Sequence, residues 1–232
     1  MPRRYRRSVP IITTHTLLAM LLLVLGLTSH AEELTLERIF ASPALSGPSL
    51  RQAELSPAGD RVTFLRGRDE DRNVLDLWEY HLADQTTRRL IVADQVLADE
   101  GELSAEEQAR RERARISGLR GIVHYRWSID GTALLFPLGG NLYMATLGET
   151  DPHSTTTVRQ LTATEDFDLD PKISPDGEQV AFIRNQNLWV VDLASNQARA
   201  LTSDGQGTLS NGMAEFIAQE EMGRSTGYWW SP

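Results

Sequence analysis

Two adjacent glutamates are the residues of this chain best suited to hold a small charged ligand. Glu220 and Glu221 lie in segment 214–222, AEFIAQEEM, whose composition predicts a short helix or turn. Neighbours on a helix point about 100° apart, so both carboxylates reach one ligand only near a helix end or a turn. Two carboxylates at one point suit a primary ammonium, which brings three donors and a charge. The plainer alternative is a solvated acidic pair.

An arginine-rich segment is the second candidate. Residues 103–116, LSAEEQARRERARI, predict a helix with Ser104 and Glu107 as a capping box. Its apolar stripe is thin, so the helix is not mainly a core element. It is either a solvated helix held by ion pairs, or a carrier that brings an arginine to a carbonyl or carboxylate. The expected neighbours at i,i+4 spacing are Glu106–Arg110, Glu107–Arg111 and Arg111–Arg115.

A third motif resembles a catalytic one without its context. The run from Gly223 to Gly227 matches G-x-S-x-G, the nucleophile elbow of α/β-hydrolases, with Ser225 at its centre. That elbow needs a buried strand before the serine and a helix after it, whereas Gln219-Glu-Glu precedes it here and an aromatic, strand-like run follows. Neither Asp nor His follows Ser225 in the chain. We therefore reject Ser225 and predict no catalytic residue in this chain.

These segments interrupt a repeat. The repeat opens with Ser-Pro-Asp-Gly or a close variant, and its serines are Ser56, Ser128, Ser174 and Ser231. Each of the first three turns is followed by β-rich runs such as Val180–Phe182 and by an Arg-x-Leu segment. Four short strands per unit of about 40–50 residues is typical of a β-propeller blade. The fold class predicted is all-β, a partial propeller of about three blades and the start of another, with one inserted arginine-rich helix.

The spacing of the repeats locates the insertions. Successive turn serines are 72, 46 and 57 residues apart, so the longer steps hold insertions near 95–117 and 203–227. Insertions in propellers form loops, which commonly carry binding groups. Both candidate segments lie in these insertions.

The N-terminus has the pattern of a signal peptide. Arginines at positions 3–7 precede an apolar run, 17–27, and Ser29-His-Ala31 supplies a cleavage site. The run is too short for a permanent span, so we expect cleavage after Ala31 and a periplasmic or secreted protein. The domains expected are a signal peptide, 1–31, and an incomplete propeller domain, 32–232.

Composition excludes several classes of function. The 232 residues contain no cysteine, which removes disulfides, thiolate metal sites and cysteine nucleophiles. The net charge of −9 argues against a nucleic-acid partner. We found no metal-ligand spacing or phosphate loop, and we predict neither a metal nor a cofactor.

The two insertion motifs together resemble the dipeptidyl peptidase IV family of serine peptidases, within the prolyl oligopeptidase superfamily. The resemblance is carried by residues 219–232, QEEMGRSTGYWWSP, by residues 111–116, RERARI, and by the blade motifs. It implies an enzyme that removes dipeptides from peptide N-termini, with proline or alanine second. It also implies that Glu220 and Glu221 hold the substrate's amino group and that Arg115 contacts a substrate carbonyl.

The same resemblance implies that the family's catalytic domain is not among these residues. In the family the α/β-hydrolase domain follows the propeller, and none of it lies in these residues, so this chain alone should hydrolyse nothing. We expect the substrate-recognition portion of an exported dipeptidyl peptidase acting on Xaa-Pro and Xaa-Ala peptides. The partner we expect is a peptide with a free N-terminus. We expect no nucleic-acid partner and no permanent membrane span, and we expect the full-length enzyme to be a homodimer. The alternative is a non-catalytic periplasmic propeller that serves as a binding or scaffold protein.

Overall fold

The computed structural model describes residues 34–42, 44–148 and 156–232. The predicted signal peptide, 1–31, lies outside the described residues. Helix α1 (Leu36–Phe40) belongs to a first unit, and the described residues of Ala41–Pro232 form a second. Within the described ranges, no helix is long and apolar enough to cross a membrane.

The second unit contains three antiparallel four-stranded sheets, each built from strands consecutive in sequence. Blade 1 comprises β1 (Leu50–Leu55), β2 (Arg61–Gly67), β3 (Val74–His81) and β4 (Thr86–Ile91), with β5 (Arg120–Gly121) added in parallel to β3. Blade 2 comprises β6 (Arg126–Trp127), β7 (Ala133–Leu138), β8 (Asn141–Thr146) and β9 (Thr157–Gln160). Blade 3 comprises β10 (Leu169–Ile173), β11 (Gln179–Arg184), β12 (Asn187–Asp192) and β13 (Ala198–Ala200). Helices α2 (Ala93–Val96), α3 (Ala105–Arg113) and α4 (Phe216–Glu221) lie in the connections.

The predicted turns join the first two strands of every blade. In each, the glycine N–H donates to the carbonyl of the serine three residues earlier, at 2.9 to 3.0 Å. The glycines have φ of 71° to 75°, a region where a side chain is disfavoured, so the glycine of the motif is required by the backbone. These glycines are Gly59, Gly131 and Gly177.

The blades stack face to face, which explains why their central strands are apolar on both sides. In β7, Phe136 belongs to the core cluster that contains Leu65 of blade 1, while its neighbour Leu135 belongs to the cluster that contains Phe182 of blade 3. Successive residues of a strand face opposite sides, so the middle blade buries both faces. This stacking of meander sheets fits the predicted partial propeller and positions both insertions on one stack.

Candidate functional site

Helix α3, from the first insertion, begins at the predicted serine cap, but its Glu107 carboxylate binds arginines and does not complete the predicted capping box. The Ser104 hydroxyl caps it by accepting the Glu107 N–H at 3.2 Å. The Glu107 carboxylate binds Arg111 at 2.6 Å, as the spacing predicts. It also binds Arg110 at 2.6 Å, in place of the predicted Glu106–Arg110 pair. One carboxylate therefore pairs with two guanidinium groups of the helix.

This cluster attaches α3 to blade 1. Glu107 and Arg111 are each 5% exposed, and Arg111 donates to the Leu119 carbonyl at 2.8 Å, just before β5. Burial alone would raise the pKa of Glu107, but the hydrogen bonds and charges of Arg110 and Arg111 lower it below its usual value. The ion pair is buried, so α3 is more than a solvated surface helix.

The C-terminal end of α3 has an unusual residue. The Arg115 N–H donates to the Glu112 carbonyl and the Ile116 N–H to the Arg111 carbonyl, the two bonds of a Schellman motif. Arg115 occupies the left-handed position of that motif, with φ of 56°, where glycine is usual. The helix ends at Arg113, so the expected common face of Arg111 and Arg115 does not form. Instead the exposed Arg115 side chain projects from the turn.

Helix α4 lies in a loop closed at its base. The Glu215 carboxylate caps the helix by accepting the Ile217 and Ala218 N–H groups at 2.7 and 2.8 Å. Backbone bonds between 212–214 and 225–227 close the loop. Glu220 and Glu221 are the last two residues of α4, at the helix end that the sequence required, and both are exposed.

The two inserted helices contact each other, and Arg113 makes the contact. Its Nη1 donates to Gln219 Oε1 at 2.7 Å. Its Nε lies 3.9 Å from Glu220 Oε1, and its guanidinium lies 5.3 Å from the centre of the Phe216 ring. Segments about a hundred residues apart in sequence are therefore joined at the helix ends that carry the predicted site residues.

The structure brings the three predicted residues to neighbouring helix ends without enclosing them. A cavity of about 180 Å³ beside α3 is lined by Arg110, His124, Arg126, Asp170 and Ser225, among others, and not by Glu220, Glu221 or Arg115. Sequence reasoning missed Arg113 and Gln219. The sequence indicated only that each residue lies next to or within a motif already singled out. The hydrogen bond between them could not be predicted because it joins distant parts of the chain.

Ser225 does not lie in a nucleophile elbow. Helix α4 ends four residues before it, and its carbonyl accepts the Ala214 N–H at 3.1 Å across the base of the loop. A nucleophile elbow places its serine between a strand and a following helix. Here a helix precedes Ser225, and in the described residues after it only Thr226 forms a β-bridge, so the expected strand-like run 228–230 is irregular. This geometry agrees with the rejection of Ser225.

The family described as "Dipeptidyl peptidase IV (DPP IV) N-terminal region" matches residues 149–232. Dipeptidyl peptidase 8 of Homo sapiens is 32% identical over 197 residues, covering 76% of this chain and 22% of that protein. The mouse (Mus musculus) dipeptidyl peptidase 8 is 30% identical over 199 residues, with the same coverage. A probable dipeptidyl-aminopeptidase B of Arthroderma gypseum is 36% identical over 59 residues, which is 25% of this chain and 6% of that protein. The chain thus spans about a fifth of the length of the first two relatives, at 22%.

Proposed function

The chain contains part of the N-terminal region of the dipeptidyl peptidase IV family, and from this we propose that it is the substrate-recognition portion of an exported serine-type dipeptidyl peptidase. Its substrates would be peptides with a free N-terminus and proline or alanine in second position. The similarity to dipeptidyl peptidases supports the peptide substrate, and the N-terminal pattern of basic and apolar residues supports export.

One observation carries the proposal: the contact between α3 and α4 through Arg113. It places the acidic end of α4 beside the end of α3 that carries Arg115. A peptide N-terminus offers both partners this arrangement needs, an ammonium for the carboxylates and a carbonyl for the guanidinium.

Two features fit a ligand better than a purely structural role. Glu220 and Glu221 stand at the C-terminal end of a helix, where the helix dipole disfavours anions. Arg115 has a left-handed backbone, which costs a residue with a side chain on the order of 1 kcal/mol. Arg113, 3.9 Å from Glu220, offsets part of the first cost, and an ammonium ligand would offset more of it. An arginine kept in a strained position suggests that its side chain is needed.

Held in this way, the ammonium would fix the distance from the peptide's end to the bond that is cut. A chain without a free N-terminus would lack the ammonium that makes charge-assisted hydrogen bonds to the two exposed carboxylates, a loss that favours binding of free peptide ends. Recognition of the N-terminus is therefore the role we assign to Glu220 and Glu221.

Titration calorimetry with a short peptide beginning Ala-Pro tests the proposal. We expect the free peptide to bind and its N-acetylated form to bind at least about tenfold more weakly, because a charge-assisted hydrogen bond contributes about 1.5–3 kcal/mol. Glu220→Gln and Glu221→Gln should each weaken binding by a similar factor. Glu178→Gln, in the exposed turn of blade 3, is the matched control and should bind as the original chain does. Equal binding of the free and acetylated peptides would rule the proposal out.

Replacing the strained arginine should separate stability from binding. Arg115→Gly relieves the left-handed backbone, so we expect the free energy of unfolding to rise by up to about 1 kcal/mol while peptide affinity falls. Urea unfolding and calorimetry measure the two effects.

Gln85→Gly is the control for this experiment, because Gln85 has φ of 58° in an exposed turn of blade 1. It should give a similar gain in stability with unchanged affinity. An Arg115→Gly chain that binds the peptide normally would remove Arg115 from the site.

A further inference from the structure

A tyrosine and a tryptophan recur where each inserted segment rejoins the propeller. Tyr125 and Trp127 stand three and one residues before Ser128 of the blade turn, and Tyr228 and Trp230 stand three and one before Ser231. The other two repeats have Ala53-x-Leu55 and Pro171-x-Ile173 at these positions. The aromatic pair thus occurs in the two repeats that follow α3 and α4, and is absent from the other two.

The first aromatic pair, Tyr125 and Trp127, forms hydrogen bonds at a β-bulge in blade 1. The Tyr125 hydroxyl lies 2.6 Å from the Gln52 carbonyl and 2.8 Å from the Thr63 carbonyl, and can donate its proton to either. The Trp127 indole N–H donates to Thr63 Oγ1 at 3.0 Å. Gln52 has φ of 46° where the pairing of β1 with β2 shifts, and its amide donates to the Tyr125 carbonyl at 2.6 Å.

The second pair, Tyr228 and Trp230, forms hydrogen bonds at the corresponding β-bulge in blade 3. The Tyr228 hydroxyl lies 2.5 Å from the Asp170 carbonyl and 2.8 Å from the Ala181 carbonyl. The Trp230 indole N–H donates to the Lys172 carbonyl at 3.0 Å. Asp170 has φ of 47° where the pairing of β10 with β11 shifts, as Gln52 does in blade 1.

In blade 3, a lysine replaces the Gln52 amide of blade 1 as the donor to the tyrosine carbonyl. Lys172, the single lysine of the chain, donates to the Tyr228 carbonyl at 2.6 Å and lies 3.8 Å from the centre of the Tyr228 ring. Its ammonium also lies 3.3 Å from the Asp170 carboxylate. Because the carbonyl of each tyrosine is held as well as its hydroxyl, the chain leaving each insertion is fixed at two points.

The segments that carry the two aromatic pairs both contact Asp170. Arg126, the residue between Tyr125 and Trp127, lies 3.7 Å from the Asp170 carboxylate. Thr226, at the base of the α4 loop, donates to the same carboxylate. The residues that follow α3 and those that follow α4 therefore share one anchor.

We propose that these aromatic pairs are latches that fix the position of the two inserted helices, with Tyr125 positioning α3 and Tyr228, supported by Lys172, positioning α4 and its two glutamates. The claim that the latches position residues for substrate binding rests on the proposed function. The claim that the latches hold the two helices does not depend on that function.

Two matched variants, Tyr228→Phe and Tyr125→Phe, test the proposal by amide hydrogen exchange on the intact chain. Each keeps the ring and removes the hydroxyl. Tyr228→Phe should speed exchange in the α4 loop, 212–227, about tenfold and leave α3 unchanged, whereas Tyr125→Phe should do the reverse. If the tyrosines served only general stability, both variants would accelerate exchange in both helices alike. That outcome, or unchanged exchange in the helix each tyrosine should hold, would overturn the proposal.

A second variant keeps the test decisive if Tyr228→Phe fails to fold. Lys172→Met removes the bond to the Tyr228 carbonyl and the ion pair with Asp170 while keeping most of the apolar side chain, and it should also loosen the α4 loop more than α3. Affinity for the Ala-Pro peptide should fall in each variant whose helix is loosened. If the original chain binds no peptide, the proposed function fails, while the exchange pattern still decides whether the latches position the helices.

Discussion

Glu107→Ala is expected to cost about 3–5 kcal/mol in the stability of α3, because it leaves Arg111 buried without its partner. The Arg111 side chain is 6% exposed, so water cannot replace the lost carboxylate. Its bond to the Leu119 carbonyl should weaken with it, and the helix should detach from blade 1. Amide exchange within Ala105–Arg113 should accelerate by about two to three orders of magnitude, since 1.4 kcal/mol corresponds to tenfold.

Glu106→Ala is the matched control for this variant. Glu106 is the preceding residue of the same helix and is exposed, so its loss should change stability by less than about 0.5 kcal/mol. Similar exchange rates in the two variants would show that the Glu107 cluster does not hold the helix.

Lowering the pH from 7 to 5 should destabilise the chain by about 2 kcal/mol through His124. Burial, helped by the charges of Arg126 and Arg110, lowers the pKa of His124 from 6.5 to about 4, against a small opposing effect of Glu107. In the unfolded chain the imidazole takes a proton near its ordinary pKa of 6.5, but in the folded chain only near 4. Stability is therefore complete above 6.5 and is lost as the pH falls toward 4, by about 3 kcal/mol over the whole window.

Urea unfolding of the original chain and of His124→Gln at both pH values measures this contribution. The variant should lack most of the decline between pH 7 and pH 5, because the two chains differ only at this residue and share every other titratable group. An equal decline in the two chains would show that His124 is not the group responsible.

The fold could be largely predicted from the sequence because its turns are chemically specific. Serine and glycine stand three positions apart in each turn, with proline between them in two of the three, and all three turns have the same hydrogen bond. Apolar runs such as β7 could be assigned to a stacked blade only once the repeat was recognised, since a fully apolar run alone does not distinguish a buried strand from a helix. The short parallel strand β5 has no such signature, because its pairing depends on where the chain returns beside β3.

The candidate site was predictable in its parts and not in its geometry. Adjacent carboxylates can reach one ligand only near a helix end or a turn, and Glu220 and Glu221 are the last two residues of α4. The face of Arg115 could not be inferred, because the helix ends in a Schellman motif that has arginine where a glycine would have marked the stop. The Arg113–Gln219 bond joins residues 106 positions apart and has no local cause.

That distance has a consequence for how the protein is made. Contacts between distant parts of a chain form late, because closing a long loop costs entropy before any bond is gained. Gln219 can reach Arg113 only after the intervening sheets have assembled, so a nascent or misassembled chain would display each helix without the other. Under the proposed function, affinity for a peptide end would then report on the completion of folding.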